Sequence, residues 1–368
     1  MYGCRTRPVV TVFVVLLCLV TGCTASGPER QPEATHSVSV STVDLERAVE
    51  DYIATGSVTL RTINSVVVDV DGVRQVELYR NGGGPNHYSH VWSVTKSVVS
   101  TLVGIAIAEG KISSLDATLP ELLPDHAAQM SADQRSITLR QLLSMSAGIS
   151  DEHDGPMSRD GKVASILELP LQADPGTQFN YSDPGAQLVS AIVAEATGMT
   201  TLDYARAKLF GPLGISSTPA YTEVASWIRL GPGYPKAFET ADFAWAVTED
   251  GTTNGCCMLK LKPADMVKIG RLYLDRGQWE GRQILPAEWV QLATTPSGTN
   301  SEYGLFWWLA LLGEHRAFAA EGRGGQLIAV VPETQMVITV STTPTEDMEL
   351  SPDDVIYMIN TTITPLPH

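Results

Sequence analysis

The chain has 368 residues, 43% of them hydrophobic and 18% charged, with 25 basic against 41 acidic side chains and a formal net charge of −16. That much apolar material can build a buried core, which excludes a disordered chain and a disulfide-stapled miniprotein. The negative balance argues against a nucleic-acid partner, because phosphate binding needs a basic patch. Five cysteines at irregular spacing form neither a disulfide framework nor a zinc cage.

In chain order, the first feature is a short positive region at Arg5 and Arg7 followed by the apolar run Val9 to Val20. Twelve helical residues cover about 18 Å, too little for a hydrocarbon core of about 30 Å, so residues 1–22 read as a signal peptide. Val20-Thr21-Gly22-Cys23 follows and resembles the lipobox of bacterial lipoproteins, which implies lipid on Cys23 and an extracytoplasmic, membrane-anchored location. The alternative is an ordinary signal peptide cleaved nearby, with Cys23 incidental. Loss of residues 1–22 removes two arginines and no acids, taking the charge to −18. Membrane contact is therefore expected through lipid and not through the body. Residues 23–42 are rich in small and polar side chains and read as a flexible tether.

The body is expected over residues 43–368. Val66-Val67-Val68, Asp71-Gly72 and then Val76, Leu78 and Tyr79 spell a β-hairpin. Residues 93–109 read as a helix that is apolar nearly all round, hence buried, and stopped by Gly110. Residues 182–197 read as a second helix ended by Gly198. Leu327–Val331 and Met336–Val340 are β-branched runs around a Pro332-Glu333-Thr334-Gln335 turn. A last helix is expected over 351–360, with Ser351 as cap and Pro352 in the first turn. Strands at both ends and helices between imply an α/β lobe (about 43–124 and 250–368) with a helical lobe inserted (about 125–249). The expected cleft lies between them.

Ser93-Val94-Thr95-Lys96 places a hydroxyl and an amine one helical turn apart. Serine is a weak nucleophile until a base comes within hydrogen-bond reach, and a helix N-terminus favours the negative charge that develops. The bland reading is a helix cap followed by a surface lysine. Against it, Lys96 opens an otherwise apolar helix, where a lysine without a use is expensive.

Trp92-Ser93-Val94-Thr95-Lys96-Ser97, with Glu109-Gly110-Lys111 and Leu115-Asp116, resembles the penicillin-recognising serine hydrolases: class C β-lactamases, D-alanyl-D-alanine carboxypeptidases and related esterases. The stretch Ile137 to Gly148 is similar to the family's segment after the nucleophile helix. Pro175 to Asp183 resembles its second motif, and Gly270 to Val290 extends the match. Asp250-Gly251, Cys256-Cys257 and Gly324-Gly325-Gln326 look most like the branch of 6-aminohexanoate-oligomer hydrolases and carboxylesterases. The resemblance implies a β-lactamase/transpeptidase-like fold, an antiparallel sheet flanked by helices with a helical insertion lobe. It also implies acyl-enzyme chemistry on Ser93 without cofactor or metal.

By that resemblance Tyr181 takes the Ser93 proton and returns it to the leaving group, with Lys96 supplying the positive charge that lowers a phenol's pKa. Asp183 stands where the family usually has Asn, so an amide donor becomes an acceptor or a second partner for Lys96. The family's Lys-Thr-Gly or His-x-Gly strand corresponds to Gly322-Arg323-Gly324-Gly325-Gln326, which lacks that Lys or His. The resemblance then implies Gly325 N–H beside Ser93 N–H in an oxyanion hole, with Gly324 letting substrate approach the backbone. Arg323 either binds a substrate carboxylate or points away from the cleft.

His87 and His90 lack a third ligand, so no metal is expected. Cys256-Cys257 is read as two packed thiols, with a strained vicinal disulfide as the alternative. Tyr303 to Trp308 is expected to be a core strand with an aromatic that can wall the cleft, and Asp151-Glu152-His153-Asp154 a solvated loop. The expected function is hydrolysis of a small ester, amide or cell-wall peptide. The alternative is a catalytically weak or inactive lipoprotein that uses the fold to bind cell-wall fragments or a protein partner.

Overall fold

The computed structural model describes residues 42–151, 160–224, 236–344 and 348–364, and Ser39–His368 form one compact unit. The signal peptide, Cys23, the tether as far as residue 41, and Glu152-His153-Asp154 lie outside the described residues.

Helix α1 (Thr42–Thr55), which the sequence reading assigned to no element, precedes strands β1 (Ile63–Val70) and β2 (Val73–Tyr79). Asp71 and Gly72 join the two strands with φ of 49° and 79°. Both residues are left-handed, as the primed turn of a right-twisted hairpin requires. Helix α2 (Val94–Ala108) is buried along nearly its whole length, and α3 (Asp183–Thr197) ends on Gly198 in the left-handed conformation. Helix α4 (Pro263–Leu274) leads to β3 (Trp308–Leu312), β4 (His315–Gly322), β5 (Gln326–Val331) and β6 (Met336–Thr342), and α5 (Pro352–Thr362) closes the body. The Ser351 hydroxyl accepts the Asp354 N–H and caps α5.

The six strands make one antiparallel sheet in the order β2-β1-β6-β5-β4-β3. Chain-distant pairing of β1 with β6 joins the two ends of the body, and alternation along each strand divides its side chains between two cores. Val66, Val68, Leu327, Ala329, Ile338 and Val340 face α1 and α5, and Val67, Phe318, Ala320, Ile328, Val330 and Val337 face α2 and α4. A sheet buried on both faces explains why β5 and β6 read as continuous apolar runs. The expected antiparallel sheet flanked by helices is the observed fold.

One expectation fails locally. Tyr303–Trp307 is not strand: Tyr303 pairs with Trp308 across a tight reversal in which Phe306 has φ of 61°, and β3 begins only at Trp308. The reversal is held from the nucleophile helix, where the Ser97 and Ser100 hydroxyls donate to Phe306 O and Leu305 O at 2.6 and 2.7 Å.

Candidate active site

Ser93 is the N-cap of α2, yet its side chain makes no capping hydrogen bond. Its Oγ accepts from Lys96 Nζ at 2.9 Å, so the cap reading of this serine is the weaker one. Trp92 immediately before it has φ of 49°, a costly conformation for a bulky residue and one that persists only where the surroundings enforce it. They do so here: Trp92 O accepts the Thr95 hydroxyl, and the indole stacks on His90 with centroids 4.3 Å apart. Burial, then the nearby Lys260 charge, lowers the His90 pKa to about 3. The neutral ring uses Nε2 to accept the Met258 N–H at 3.1 Å. His90 is therefore a structural residue, and the described residues hold no metal-binding group of three or more His, Cys, Asp or Glu.

Lys96 is 1% exposed and reaches three oxygens. Besides Ser93 Oγ these are Cys256 O at 2.9 Å and Asp183 Oδ1 at 2.6 Å, the last as an ion pair outside hydrogen-bond angles. Two hydrogen-bond acceptors and a carboxylate oxygen around one buried nitrogen suit an ammonium, whereas a neutral amine would turn its lone pair on one of them. Burial pulls the Lys96 pKa down, but Asp183, Tyr181, Cys256 and Cys257 together hold it well above the ordinary value. Lys96 is a cation at rest. Its ammonium also lies 4.8 Å from the centre of the Tyr181 ring.

Ser93 and Lys96 both act on the Tyr181 hydroxyl, each lowering its pKa. Burial and the Asp183 charge push its pKa up, while Lys96 pulls it down, and the net direction is up. The segment carrying it is fastened to the Ile137–Gly148 stretch: Asn180 N–H donates to Met145 O at 2.6 Å, and Ser182 Oγ caps α3 by accepting the Gly185 N–H at 3.0 Å. Asp183 opens α3, and its own N–H donates to Asp151 Oδ1 at 2.9 Å. Trp308 stacks on Tyr181 at 6.1 Å and 15°, with Tyr303 edge-on to Trp308 at 4.7 Å. Of the aromatics in the 303–308 stretch, Trp308 is the one stacked on Tyr181.

The structure brings Ser93, Lys96, Tyr181 and Asp183 together. It corrects the reading of the glycine pair. Gly324 and Gly325 have φ of 77° and 84° and form the β4–β5 turn, with Gly325 N–H donating to Gly322 O at 3.2 Å. A Cβ on Gly325 would meet Val355 and Leu350 at 2.9 and 3.1 Å, and one on Gly324 would meet Pro344. Both face the α5 side of the sheet, away from the nucleophile helix. Gly322 is the glycine at the site, since a Cβ there would lie 2.3 Å from Val91 O and 3.2 Å from Trp92 Cβ. The Arg323 guanidinium forks onto Glu349, with Nε 2.9 Å from both carboxylate oxygens, and lies 5.3 Å from the centre of the Trp92 ring. Among the described residues its carboxylate partner is Glu349.

A residue that the sequence did not single out also contributes. Asn254 Oδ1 accepts the N–H groups of Cys256 and Cys257 at 3.2 and 2.9 Å, which aims the Cys256 carbonyl at Lys96. The two cysteines are buried free thiols with sulfurs 2.8 Å apart, and burial raises the Cys256 pKa.

The Beta-lactamase family model matches residues 63–360. The chain belongs to the beta-lactamase family. Within this family of serine hydrolases it is 25% identical over 331 residues to a 6-aminohexanoate-dimer hydrolase of Paenarthrobacter ureafaciens, covering 80% of this chain and 74% of that one. It is also 25% identical over 203 residues to penicillin-binding protein 4 of Amycolatopsis lactamdurans, covering 53% of each, so the match spans about half of that relative's length. The crystal structure of a D-stereospecific amidohydrolase from Streptomyces sp. superposes with a TM-score of 0.62 at 18% identity, covering 87% of this chain and 98% of that one. In this beta-lactamase-family hydrolase, Ser93 and Lys96 sit at the start of the buried central helix, and Tyr181 enters from the loop before α3.

Proposed function

We propose that this chain hydrolyses a small ester or amide through an acyl-enzyme on Ser93. The observation that carries the reading is the contact of Lys96 Nζ with Ser93 Oγ at 2.9 Å, with the Tyr181 ring centre 4.8 Å from the same nitrogen. With Lys96 already an ammonium, the phenol of Tyr181 first gives up its own proton to solvent; the phenolate, held beside the Lys96 cation, then accepts the Ser93 proton as Oγ attacks the carbonyl and returns it to the leaving group. Water enters by the same route in reverse and releases the acid. Ser93 N–H has no acceptor among the described residues and lies at the positive end of α2, where it suits an oxyanion. The second donor we assign is Arg323 N–H. In a trans peptide the C=O of one residue and the N–H of the next point opposite ways. Because Gly322 O points into the turn toward Gly325, Arg323 N–H points the other way, to the β3 side of β4, where pairing with β3 ends at Ala319–Trp308.

The Arg323–Glu349 fork and the absence of a lysine or histidine at Gly322 favour esters and small amides over substrates that need a bound carboxylate. We further read Cys23 as lipidated, which would tether the enzyme outside the cytoplasmic membrane. Metabolic labelling with an alkyne fatty acid should mark the protein and fail on Cys23→Ser.

The test of the activity is intact-mass labelling with a fluorophosphonate, alongside hydrolysis of p-nitrophenyl acetate, nitrocefin and a D-Ala-D-Ala peptide. The expected result is one adduct that Ser93→Ala abolishes, with turnover greatest on the ester. Ligand binding that survives Ser93→Ala, with no adduct and no turnover on any substrate, would replace this reading with a non-catalytic binding role.

A further inference from the structure

The acidic residue at the head of α3 is the least expected member of the site. Asp183 Oδ1 stands 2.6 Å from the Lys96 ammonium, on the same polar cluster as Ser93 and Tyr181. From the Tyr181 hydroxyl, ammonium and carboxylate together act as a dipole, whose field falls off faster than that of the lone cation. We propose that Asp183 is a positioning residue that acts through Lys96: by holding a negative charge against the ammonium, it raises the pH at which Ser93 is activated, so that hydrolysis is favoured in neutral to alkaline solution. This rests on the acyl-enzyme reading above and deepens it.

The direction does not depend on which group carries the proton. A fixed carboxylate makes proton loss harder for every group in its field, whether the Lys96 ammonium or the Tyr181 phenol. Asp183 raises both, as the separate influences on each show. The other ionisable groups around the pair are Cys256 and Cys257 on the Asn254 turn, Tyr303 on the reversal before β3, Glu321 on β4 through Tyr303, and Asp151 behind Asp183. The Cys256 thiol and Tyr303 are neutral at rest, because burial lifts both well above their ordinary values. Among the described residues Lys96 is thus the cation of the cluster, and Asp183 is the carboxylate in direct contact with it.

The experiment compares the full chain with Asp183→Asn, Asp183→Ala and Asp183→Glu, following kcat/KM for p-nitrophenyl acetate from pH 5 to 10. Removing the charge should move the acid limb down by about one pH unit or more, so the Asn and Ala variants become about tenfold faster on the acid side of the wild-type limb. Asp183→Glu should keep the wild-type limb. A merely structural carboxylate at the first turn of α3 would lower the melting temperature and leave the limb in place, and that result overturns the proposal. If no ester is turned over, the acyl-enzyme reading fails first. The proposal is then read from the 13Cε resonance of Lys96, assigned with Lys96→Arg. Its titration should fall to lower pH in Asp183→Asn, and an unchanged titration refutes the role of Asp183.

Discussion

Two lysines are buried among the described residues, and their surroundings make opposite use of the same side chain. Lys96 is 1% exposed and Lys260 is 4% exposed, and each Nζ meets three oxygens. Lys260 meets only backbone carbonyls, those of Phe238, Glu239 and Ala241 around the end of the short helix Lys236–Thr240. Burial therefore dominates and lowers its pKa to about 8, with Asp242 and Glu239 opposing. Lys96 has one carbonyl, one carboxylate and one hydroxyl, and stays charged beside the nucleophile. Dipoles alone cap a helix end, whereas a carboxylate and a serine hydroxyl make a proton-handling site. Burial and ligand number do not distinguish the two pockets; the chemistry of the acceptors does.

The sharpest way to break the comparison is to truncate each lysine. Lys96→Ala, like Ser93→Ala, should lower kcat/KM by at least about 10³-fold, because proton management and the nucleophile act as a unit. Lys260→Met should leave kcat/KM of the folded enzyme within about threefold. It should cost about 2–4 kcal/mol in urea unfolding, since it strands buried carbonyls. Equal effects of the two substitutions on activity would dissolve the distinction. Next in size, Tyr181→Phe keeps the ring against Trp308 but removes the hydroxyl. A loss of about 10²-fold in kcat with little change in melting temperature is expected; an unaffected kcat would shift the base role to Lys96.

Glu321 extends the comparison to an acid. Burial, with help from Asp353, raises its pKa to about 7, and no basic side chain pairs with it among the described residues. A carboxyl raised on folding contributes stability that is fully present below its unfolded pKa and lost as pH rises through about 7. Glu321→Gln should therefore be more stable than the parent by about 2 kcal/mol at pH 8 and equal to it at pH 4. Denaturation curves at the two pH values read this directly. A gain at pH 4 as large as that at pH 8 would show that ionisation is not the cause.

Legibility followed the range of the interaction. The β1–β2 hairpin was readable because Asp71-Gly72 supplies its own left-handed turn, and α2 because its apolar residues run all round. Ser93 and Lys96 were readable because they lie one turn apart on that helix. Lys260 was not, since nothing local separates it from a surface lysine; its acceptors are around 20 residues away. The glycine pair misled for a related reason. Gly324 and Gly325 satisfy a local turn, and only the approach of β4 to Val91 and Trp92 shows that Gly322 borders the nucleophile.

By itself the sequence determined the β1–β2 hairpin, α2, α3, the β5–β6 pair and α5, the family, and the candidate nucleophile with its helical neighbour, all of which depend on spacing within a few residues or on an ordered motif series. Tertiary structure decided what charge those groups carry. The Cys256 carbonyl comes from 160 residues beyond Lys96, and the Asp183 carboxylate comes from the head of another helix. Fixed at 2.9 and 2.6 Å from one buried nitrogen, they hold its proton in place. Coulomb energy depends on distance in space and on the polarisability between charges, and neither is written in the order of residues along the chain.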